Sequence, residues 1–269
     1  MGLASPAIRY PEPVPILITG GGGRLVRELL PLLPGAIGPT RAELDVTDPG
    51  QVDAAVQALA QRAHAAGEDG IVVHAAAYTD VRAAEDDRDA CYRTNVLGTR
   101  HVAAACARHG ALLVHVSTDY VFAGDADPER AARGGYREDD ERGPTRNYYA
   151  QTKLLAEDEA RAAPRRLLLR TSFRPREWPY ASGFTDVRTS QAYVDELAPE
   201  LAEAIRLAPA IVAQGIHTLH VAGAPTTVLE LARRRKPDVR PASKAEAGVD
   251  LPDDVVLSTA LWRRLRDAC

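Results

Sequence analysis

Residues 16–26 read ILITGGGGRLV, a short apolar run that enters a cluster of four glycines. The stretch that follows, residues 25–33, places leucines and a valine at helical spacing. A strand, a glycine turn and a helix in this order are typical of a turn that binds phosphate at a helix N-terminus. Gly20 would allow the tight turn, and Gly23 would let the backbone approach a pyrophosphate. A glycine-rich hairpin loop is the alternative interpretation.

Two features near this turn modify the prediction. Val26 occupies the place of the third fingerprint glycine, which normally permits close helix–strand contact, so we expect the helix to stand slightly off the sheet. About twenty residues past Gly20, where an acidic side chain would bind the ribose of NAD, the chain has Thr40 and Arg41. A cation suits a 2′-phosphate, so NADPH is favoured and NADH is the alternative. Arg41 could also only solvate a loop that contains acidic residues.

A second pair of segments carries candidate catalytic groups. Thr118 follows the apolar run 111–116, which predicts a buried strand with the Thr118 hydroxyl at its carboxyl end, where open α/β sheets place ligands. Tyr149 and Lys153 are four residues apart and share one face of a predicted helix. A lysine ammonium beside a phenol favours the phenolate, so we expect the pKa of Tyr149 to fall below ~10. An ordinary exposed tyrosine–lysine pair is the alternative.

Predicted strands and helices alternate along the first part of the chain, which indicates an α/β, Rossmann-type doubly wound parallel sheet. The predicted strands are 15–19, 36–39, 70–75, 112–117 and 166–170, and the predicted helices are 25–33, 52–66, 90–108 and 149–162. The polar loop 124–147 is unusually long, which is typical of a lid or binding segment, or of a solvated excursion. We expect a dinucleotide-binding domain over residues 1–170, with 1–13 a loose N-terminal arm. Residues 171–269 would form a smaller substrate-binding part, either separate or interleaved with the first.

Composition excludes several classes of protein. The 269 residues are 45% hydrophobic with a net charge of −4 and a pI near 6.0, which argues against nucleic-acid binding. No apolar stretch approaches the ~20 residues that cross a bilayer, and the first residues show no signal-peptide pattern. Three cysteines without metal or redox spacing predict reduced thiols in a cytoplasmic protein. His217 and His220 would lie on opposite strand faces, so no metal site is predicted.

Further motifs follow in a fixed order over about 160 residues. They are RAELDVTD (41–48), HAAAYTDV (74–81), NVLGT (95–99), STDYVF (117–122), YREDD (136–140), NYYAQTK (147–153) and RTSF (170–173). In this order the chain resembles the extended short-chain dehydrogenases/reductases, and within them the dTDP-4-dehydrorhamnose reductase group. The resemblance implies NAD(P)H-dependent reduction of a carbonyl, foremost the 4-keto group of a deoxysugar nucleotide.

The resemblance also implies roles for individual residues. Tyr149 would donate a proton, Lys153 would tune Tyr149 and bind the nicotinamide ribose, and Thr118 would orient the carbonyl oxygen. The implied cofactor contacts are Gly20, Gly23, Arg24, Leu25, Arg41, Asp45, Val46, Ala75, Ala76, Ala77, Tyr149 and Lys153. The implied substrate contacts are Thr79, Val81, Asp119, Tyr120 and Phe173. For Tyr120 and Phe173, simple core packing is the alternative.

The chain departs from the resembled family after Phe173. The family usually has a longer insertion between this point and the next helix, whereas residues 174–190 form only a short connection here. We therefore expect a trimmed substrate domain, which puts a nucleotide-sugar substrate in doubt. An epimerase or dehydratase of the same superfamily is one alternative, although a dehydratase usually has an acid where Tyr120 follows Asp119. A non-catalytic, cofactor-binding regulatory protein is another, although Tyr149 and Lys153 are both retained. The expected partner is a small molecule, with no nucleic acid and no membrane, and a homodimer is an open expectation.

Overall fold

A five-stranded parallel sheet forms the centre of the computed structural model, which describes residues 14–267. Its strand order is β1-β2-β3-β4-β9, and each neighbouring pair is parallel. The strands are β1 (Ile16–Thr19), β2 (Ile71–His74), β3 (Leu112–Ser117), β4 (Arg166–Arg170) and β9 (Thr218–His220). The inner strands are almost wholly buried runs of Leu, Val and Ile, as expected of a sheet covered on both faces. The predicted loose arm, residues 1–13, lies outside the described residues.

Helices cover both faces of this sheet and create two separate hydrophobic cores. One core joins the sheet to α1, α8 and α10, and the other joins it to α2, α5 and α7. These helices are α1 (Arg24–Leu29), α2 (Pro49–Ala66), α5 (Gly98–His109), α7 (Tyr148–Ala160), α8 (Val194–Ala213) and α10 (Ala260–Asp267). The predicted α/β doubly wound parallel sheet is therefore confirmed.

The predicted strand 36–39 was wrong as a strand, because only Ile37 pairs with β1. Ile18 N donates to Ile37 O at 2.8 Å, and Ile37 N donates to Ile16 O at 2.9 Å. Pro39 lacks a donor to continue the ladder, and Gly35 already turns the chain with φ +80°. This contact still fixes the topology: the chain leaves β1 on one side and later returns as β2 on the other, so a ligand crevice is expected at their carboxyl ends.

The predicted helix 90–108 consists of three consecutive helical pieces and follows one further short helix. It consists of α4 (Arg88–Tyr92), a π-helical turn (Arg93–Leu97) and α5, and it is preceded by α3 (Ala83–Asp86). Asp87 begins the run, because its side chain accepts from Ala90 N at 3.2 Å.

The C-terminal part of the chain shares layers with the first part. It contributes β9 to the central sheet and α8 to the face that carries α1. Its remaining strands are β5 (Phe173–Arg174), β6 (Ser182–Phe184), β7 (Arg188–Thr189), β8 (Ala192–Tyr193), β10 (Thr226–Thr227) and β11 (Arg240–Ala242), in three two-stranded pairs. The pairs β6–β11 and β7–β10, together with α9 (Val228–Arg233), surround a small core that contains Trp178 and Val228.

The long loop 124–147 is ordered and carries the short helix α6 (Pro128–Ala132). Tyr136 stacks on Phe122, and its backbone bridges to Leu257. Arg146 forms ion pairs with Asp125 and Asp253. The loop is thus packed against the body of the protein, and the large cleft described below is lined by other segments.

Candidate active site

One cleft of about 720 Å³ opens at the carboxyl ends of β1 to β4. It brings together every residue that the sequence singled out for catalysis, cofactor or substrate. They are Gly20, Gly23, Arg24, Leu25, Arg41, Asp45, Val46, Ala75, Ala76, Ala77, Thr79, Val81, Thr118, Asp119, Tyr120, Tyr149, Lys153 and Phe173. The structure therefore converts separate motifs into one continuous surface at the topological switch point of the sheet.

The glycine turn is shaped to accept an anion. Gly20 has φ +81°, and a Cβ there would lie 2.9 Å from Ala76 Cα, so both the turn and the close approach require glycine. Gly23 N closes the turn by donating to Gly20 O at 2.7 Å. The amides of Arg24 and Leu25, at the start of α1, find no acceptor among residues 14–267, and no side chain caps this helix. Free N–H groups at a helix start fit the pyrophosphate of a dinucleotide.

His74 positions residues 75–77, which form the wall of the cleft beside the glycine turn. The sequence did not predict this role. Thr19 Oγ1 accepts from the amides of Ala75 and Ala76, each at 3.2 Å, and lies 2.8 Å from His74 Nδ1. Since that oxygen already accepts two amides, its proton goes to Nδ1. Burial lowers the pKa of His74 to about 3, so the ring is neutral and can accept it. Through Thr19, the buried histidine thus holds the backbone of Ala75 and Ala76 in place.

Lys153 lies at the base of the cleft, where its ammonium donates to Val116 O at 2.9 Å. Burial lowers the pKa of Lys153 to about 8, with Glu157 opposing the shift. The pKa of Tyr149 is raised rather than lowered, first by burial and then by the charge of Asp119 and the neighbouring Tyr120. The expected fall of the Tyr149 pKa was therefore wrong for the protein alone, because burial and the neighbouring Asp119 raise it while the Lys153 ammonium is hydrogen-bonded to Val116 O.

Thr118 and its neighbours form a polar group at the end of β3. The Thr118 hydroxyl donates to Asp119 Oδ1 at 2.8 Å and accepts from Tyr120 N at 3.3 Å. Asp119 is fully buried, and burial raises its pKa to about 6. The Tyr120 ring meets that of Tyr149 edge to face, 6.3 Å between centroids. Tyr120 thus packs against the candidate proton donor as well as lining the cleft.

A buried ion pair holds the catalytic helix against the sheet. Glu157 on α7 accepts from Arg170 Nε at 2.8 Å and from Ser117 Oγ at 2.7 Å. Arg170 and Glu157 are 1% and 0% exposed, so this pair is wholly removed from water. It joins α7 to the ends of β3 and β4 and so sets where Lys153 enters the cleft.

Asn95 anchors the same helix from the other side. Its Nδ2 donates to Thr152 Oγ1 at 2.9 Å and to Tyr78 O at 3.2 Å, and its Oδ1 accepts from Tyr78 N at 2.8 Å. These contacts join α7 to the loop that carries Thr79 and Val81, so Asn95 has a structural role.

Several residues that line the cleft were missed by the sequence analysis. They are Tyr78, Thr94, Arg174, Pro175, Pro179, Tyr180 and Gln191. Most of them come from the irregular segment after β4, which has no periodicity to place it. A cation and two aromatic residues within this proline-rich stretch were the available signal.

Metal and membrane sites find no support within residues 14–267. No group of three or more His, Cys, Asp or Glu side chains could hold a metal ion there. None of the helices in that range is long and apolar enough to cross a bilayer.

The fold and the cleft have the architecture of an extended short-chain dehydrogenase/reductase. The chain belongs to the RmlD substrate binding domain family, whose pattern matches residues 14–182, more than half of the sequence. It is 38% identical over 176 residues to a dTDP-4-dehydrorhamnose reductase of Mycobacterium tuberculosis, covering 62% of this chain and 51% of that protein. It is 40% identical over 184 residues to a probable dTDP-4,6-dihydroxy-2-methyloxan-3-one 4-ketoreductase of Streptomyces antibioticus, covering 64% and 54%. The chain therefore spans about half the length of these curated relatives.

Similarity to solved structures extends further along the chain. A dTDP-4-dehydrorhamnose reductase of Bacillus anthracis in complex with NADP superposes with a TM-score of 0.78 at 27% identity, covering 94% of this chain and 93% of that one. The family resemblance expected from the motifs is thus confirmed.

Proposed function

We propose that this protein is an NADPH-dependent reductase of the 4-keto group of a deoxysugar nucleotide. The observation that carries this proposal is the cleft itself, which places Tyr149, Lys153 and Thr118 in one cavity with a free glycine turn. The reductases among its relatives support the same activity. NADH is the alternative cofactor.

The cofactor half of the cleft fits a dinucleotide. The amides of Arg24 and Leu25 would hold the pyrophosphate beside Gly20 and Gly23, while Ala75, Ala76 and Ala77 give a close wall. Arg41, Asp45 and Val46 would surround the adenosine end. Lys153 would bind the nicotinamide ribose. When bound, NADPH supplies a hydride to the carbonyl carbon.

Side chains of the protein would donate the proton that the reduced carbonyl oxygen needs. The raised pKa keeps Tyr149 protonated at neutral pH, which suits a donor to the carbonyl oxygen as it becomes an alkoxide. The Lys153 ammonium, in the same cavity, would then stabilise the phenolate. Thr118 now donates to Asp119, so orienting the substrate oxygen requires its hydroxyl proton to turn away from that carboxyl. Thr79, Val81, Asp119, Tyr120 and Phe173 would face the sugar.

We also infer that residues 1–170 act as the cofactor-binding part and residues 171–269 as an interleaved substrate-binding part. The strand β9 and helix α8 in the shared layers support interleaving. The buried free thiols of Cys91 and Cys106 support a cytoplasmic location. A homodimer is the oligomeric state that we would test first.

Removing the side chain of Arg41 should weaken NADPH selectively. The Arg41 side chain is 78% exposed and only loosely paired with Asp45 at 3.7 Å, so it is free to bind a 2′-phosphate. Losing one charge-assisted contact costs roughly 1.5–3 kcal/mol, so Arg41→Ala should weaken NADPH about tenfold or more and leave NADH unchanged. Titration of both cofactors measures this. Arg62→Ala, an exposed arginine on α2, is the matched control. Equal affinities for the two cofactors in both proteins would exclude the role.

Replacing Val26 with glycine should cost stability but change cofactor affinity little. Val26 is 1% exposed and packs in the core between α1 and the sheet. Losing this side chain removes ~1.5–3 kcal/mol of burial, and glycine costs about 1 kcal/mol more within a helix. The third fingerprint position contacts the strand rather than the pyrophosphate, so affinity should change by less than about tenfold. Thermal unfolding and NADPH titration measure the two effects. A hundredfold gain in affinity would favour the non-catalytic alternative.

A further inference from the structure

The substrate half of the cleft contains a positioned arginine without an acidic partner. Arg174 lines the cleft, and its Nε donates to Gln191 Oε1 at 2.7 Å. Its guanidinium lies over the Trp178 ring, 5.4 Å from the centroid. Within the described chain, its two amino groups have no hydrogen-bond acceptor and no carboxylate forms an ion pair with it. A guanidinium held in place with both amino groups free is suited to bind a phosphate in bidentate fashion.

The neighbours of this cation lie at the catalytic end of the cleft. The charge of Arg174 lowers the pKa of both Asp119 and Tyr120 against the larger effect of burial, which places it near the end of β3. Tyr120 in turn contacts Tyr149. The arginines at the cofactor end, Arg24 and Arg41, are on the glycine-turn and adenosine side. A phosphate bound by Arg174 would therefore belong to the substrate.

An exposed aromatic ring lies on the same segment, at the rim of the cleft. Tyr180 is 54% exposed although it lines the cavity, and its ring meets Trp178 edge to face at 5.6 Å. Lys236 Nζ donates to Tyr180 O at 3.1 Å, and Trp178 Nε1 donates to Ser182 O at 3.2 Å. The segment is thus anchored before any ligand arrives. An exposed ring at a polar rim is suited to stack on a nucleobase, typically worth ~1–3 kcal/mol.

We propose that Arg174 and Tyr180 form the subsite for the nucleoside-diphosphate part of the substrate, with Arg174 binding a phosphate and Tyr180 stacking on the base. This inference rests on the proposed function and deepens it. The short segment 174–180 would then supply nucleotide recognition within the substrate-binding part of the chain. Keto sugars without the nucleoside diphosphate would bind poorly.

The test is a calorimetric titration of dTDP into full-length protein saturated with NADP⁺, so that the dinucleotide half is already filled. Arg174→Gln should weaken dTDP about tenfold or more, the loss expected for a charge-assisted phosphate contact, and should leave NADP⁺ affinity unchanged. Arg174→Lys keeps the charge but not the fork, so it should recover part of the loss. Tyr180→Ser should weaken both dTDP and thymidine, whereas Arg174→Gln should affect only dTDP.

Arg188→Gln is the matched control, since Arg188 is exposed, pairs with Asp254 and lies outside the cleft. Unchanged dTDP affinity in Arg174→Gln, or equal loss of dTDP and NADP⁺ affinity, would overturn the proposal. If Arg174→Gln does not fold, Arg174→Lys and Tyr180→Ser decide the question, and normal dTDP affinity in both would refute it. Arg174-dependent dTDP binding without turnover of any keto sugar would contradict the proposed function alone. Turnover with an unchanged KM in Arg174→Gln would contradict this inference alone.

Discussion

Replacing Tyr149 with phenylalanine should lower turnover by about two to four orders of magnitude while NADPH still binds. The ring and its edge-to-face contact with Tyr120 would remain, and only the acidic hydroxyl would be lost. General acid catalysis contributes ~10²–10⁴-fold, which sets the expected loss. Steady-state NADPH oxidation and a cofactor titration measure the two quantities separately.

The neighbouring Tyr148 provides the matched control for this change. It begins the same helix but packs against Arg88 and does not line the cleft, so Tyr148→Phe should leave turnover nearly unchanged. Lys153→Met should impair both rate and cofactor binding, and Thr118→Val should lower the rate with little effect on cofactor affinity. Near-full turnover in Tyr149→Phe would show that another group supplies the proton.

Replacing Glu157 with glutamine should destabilise the fold by about 3–5 kcal/mol, because it leaves the buried Arg170 uncompensated. Although burial by itself raises the pKa of Glu157, hydrogen bonds from Arg170 and Ser117 and the charges of Arg170 and Arg142 hold it below the ordinary 4.5. The carboxylate therefore contributes stability above the unfolded-state pKa, and this contribution is lost as pH falls through the lower folded-state value. The difference in unfolding free energy between wild type and Glu157→Gln should accordingly become smaller at acidic pH. Urea unfolding at neutral and acidic pH measures it.

Glu159 is the control for this ion pair. It lies on the same helix and pairs with the exposed Arg100, an arrangement that is worth at most about 1 kcal/mol. Glu159→Gln should therefore barely move the unfolding midpoint. Similar losses of stability in the two variants would show that burial does not make the Glu157–Arg170 pair more important to stability than an exposed pair.

The sequence predicted the strands best where an apolar run is bounded by polar residues. The limits 112–117 and 166–170 agree with β3 and β4 as observed. Prolines inside a helix hide its limits from sequence reasoning: α8 spans Val194–Ala213 although Pro199 and Pro209 lie within it. Each proline removes one i→i−4 hydrogen bond from the helix, and burial of the apolar face of α8 outweighs both losses.

Residue spacing and motif order were sufficient to predict which residues meet in the candidate site. Tyr149, Lys153 and the glycine turn do converge in one cleft. The pKa of the phenol was not predictable, because spacing gives the neighbouring lysine but not the extent of burial. The pairing of Arg174 with Trp178 and Gln191 depends on contacts across an irregular segment, which no periodicity reveals.

The most direct test of the proposed function is NADPH oxidation by purified protein with dTDP-4-dehydrorhamnose as substrate, with Tyr149→Phe assayed beside wild type. We expect NADPH loss that matches formation of a dTDP sugar with a hydroxyl at the former keto carbon, and little turnover in the variant. Protein that binds NADPH and dTDP but consumes no NADPH with any 4-keto sugar nucleotide would contradict the account. Conversion of the sugar without net NADPH oxidation would contradict it as well and would indicate an epimerase or dehydratase.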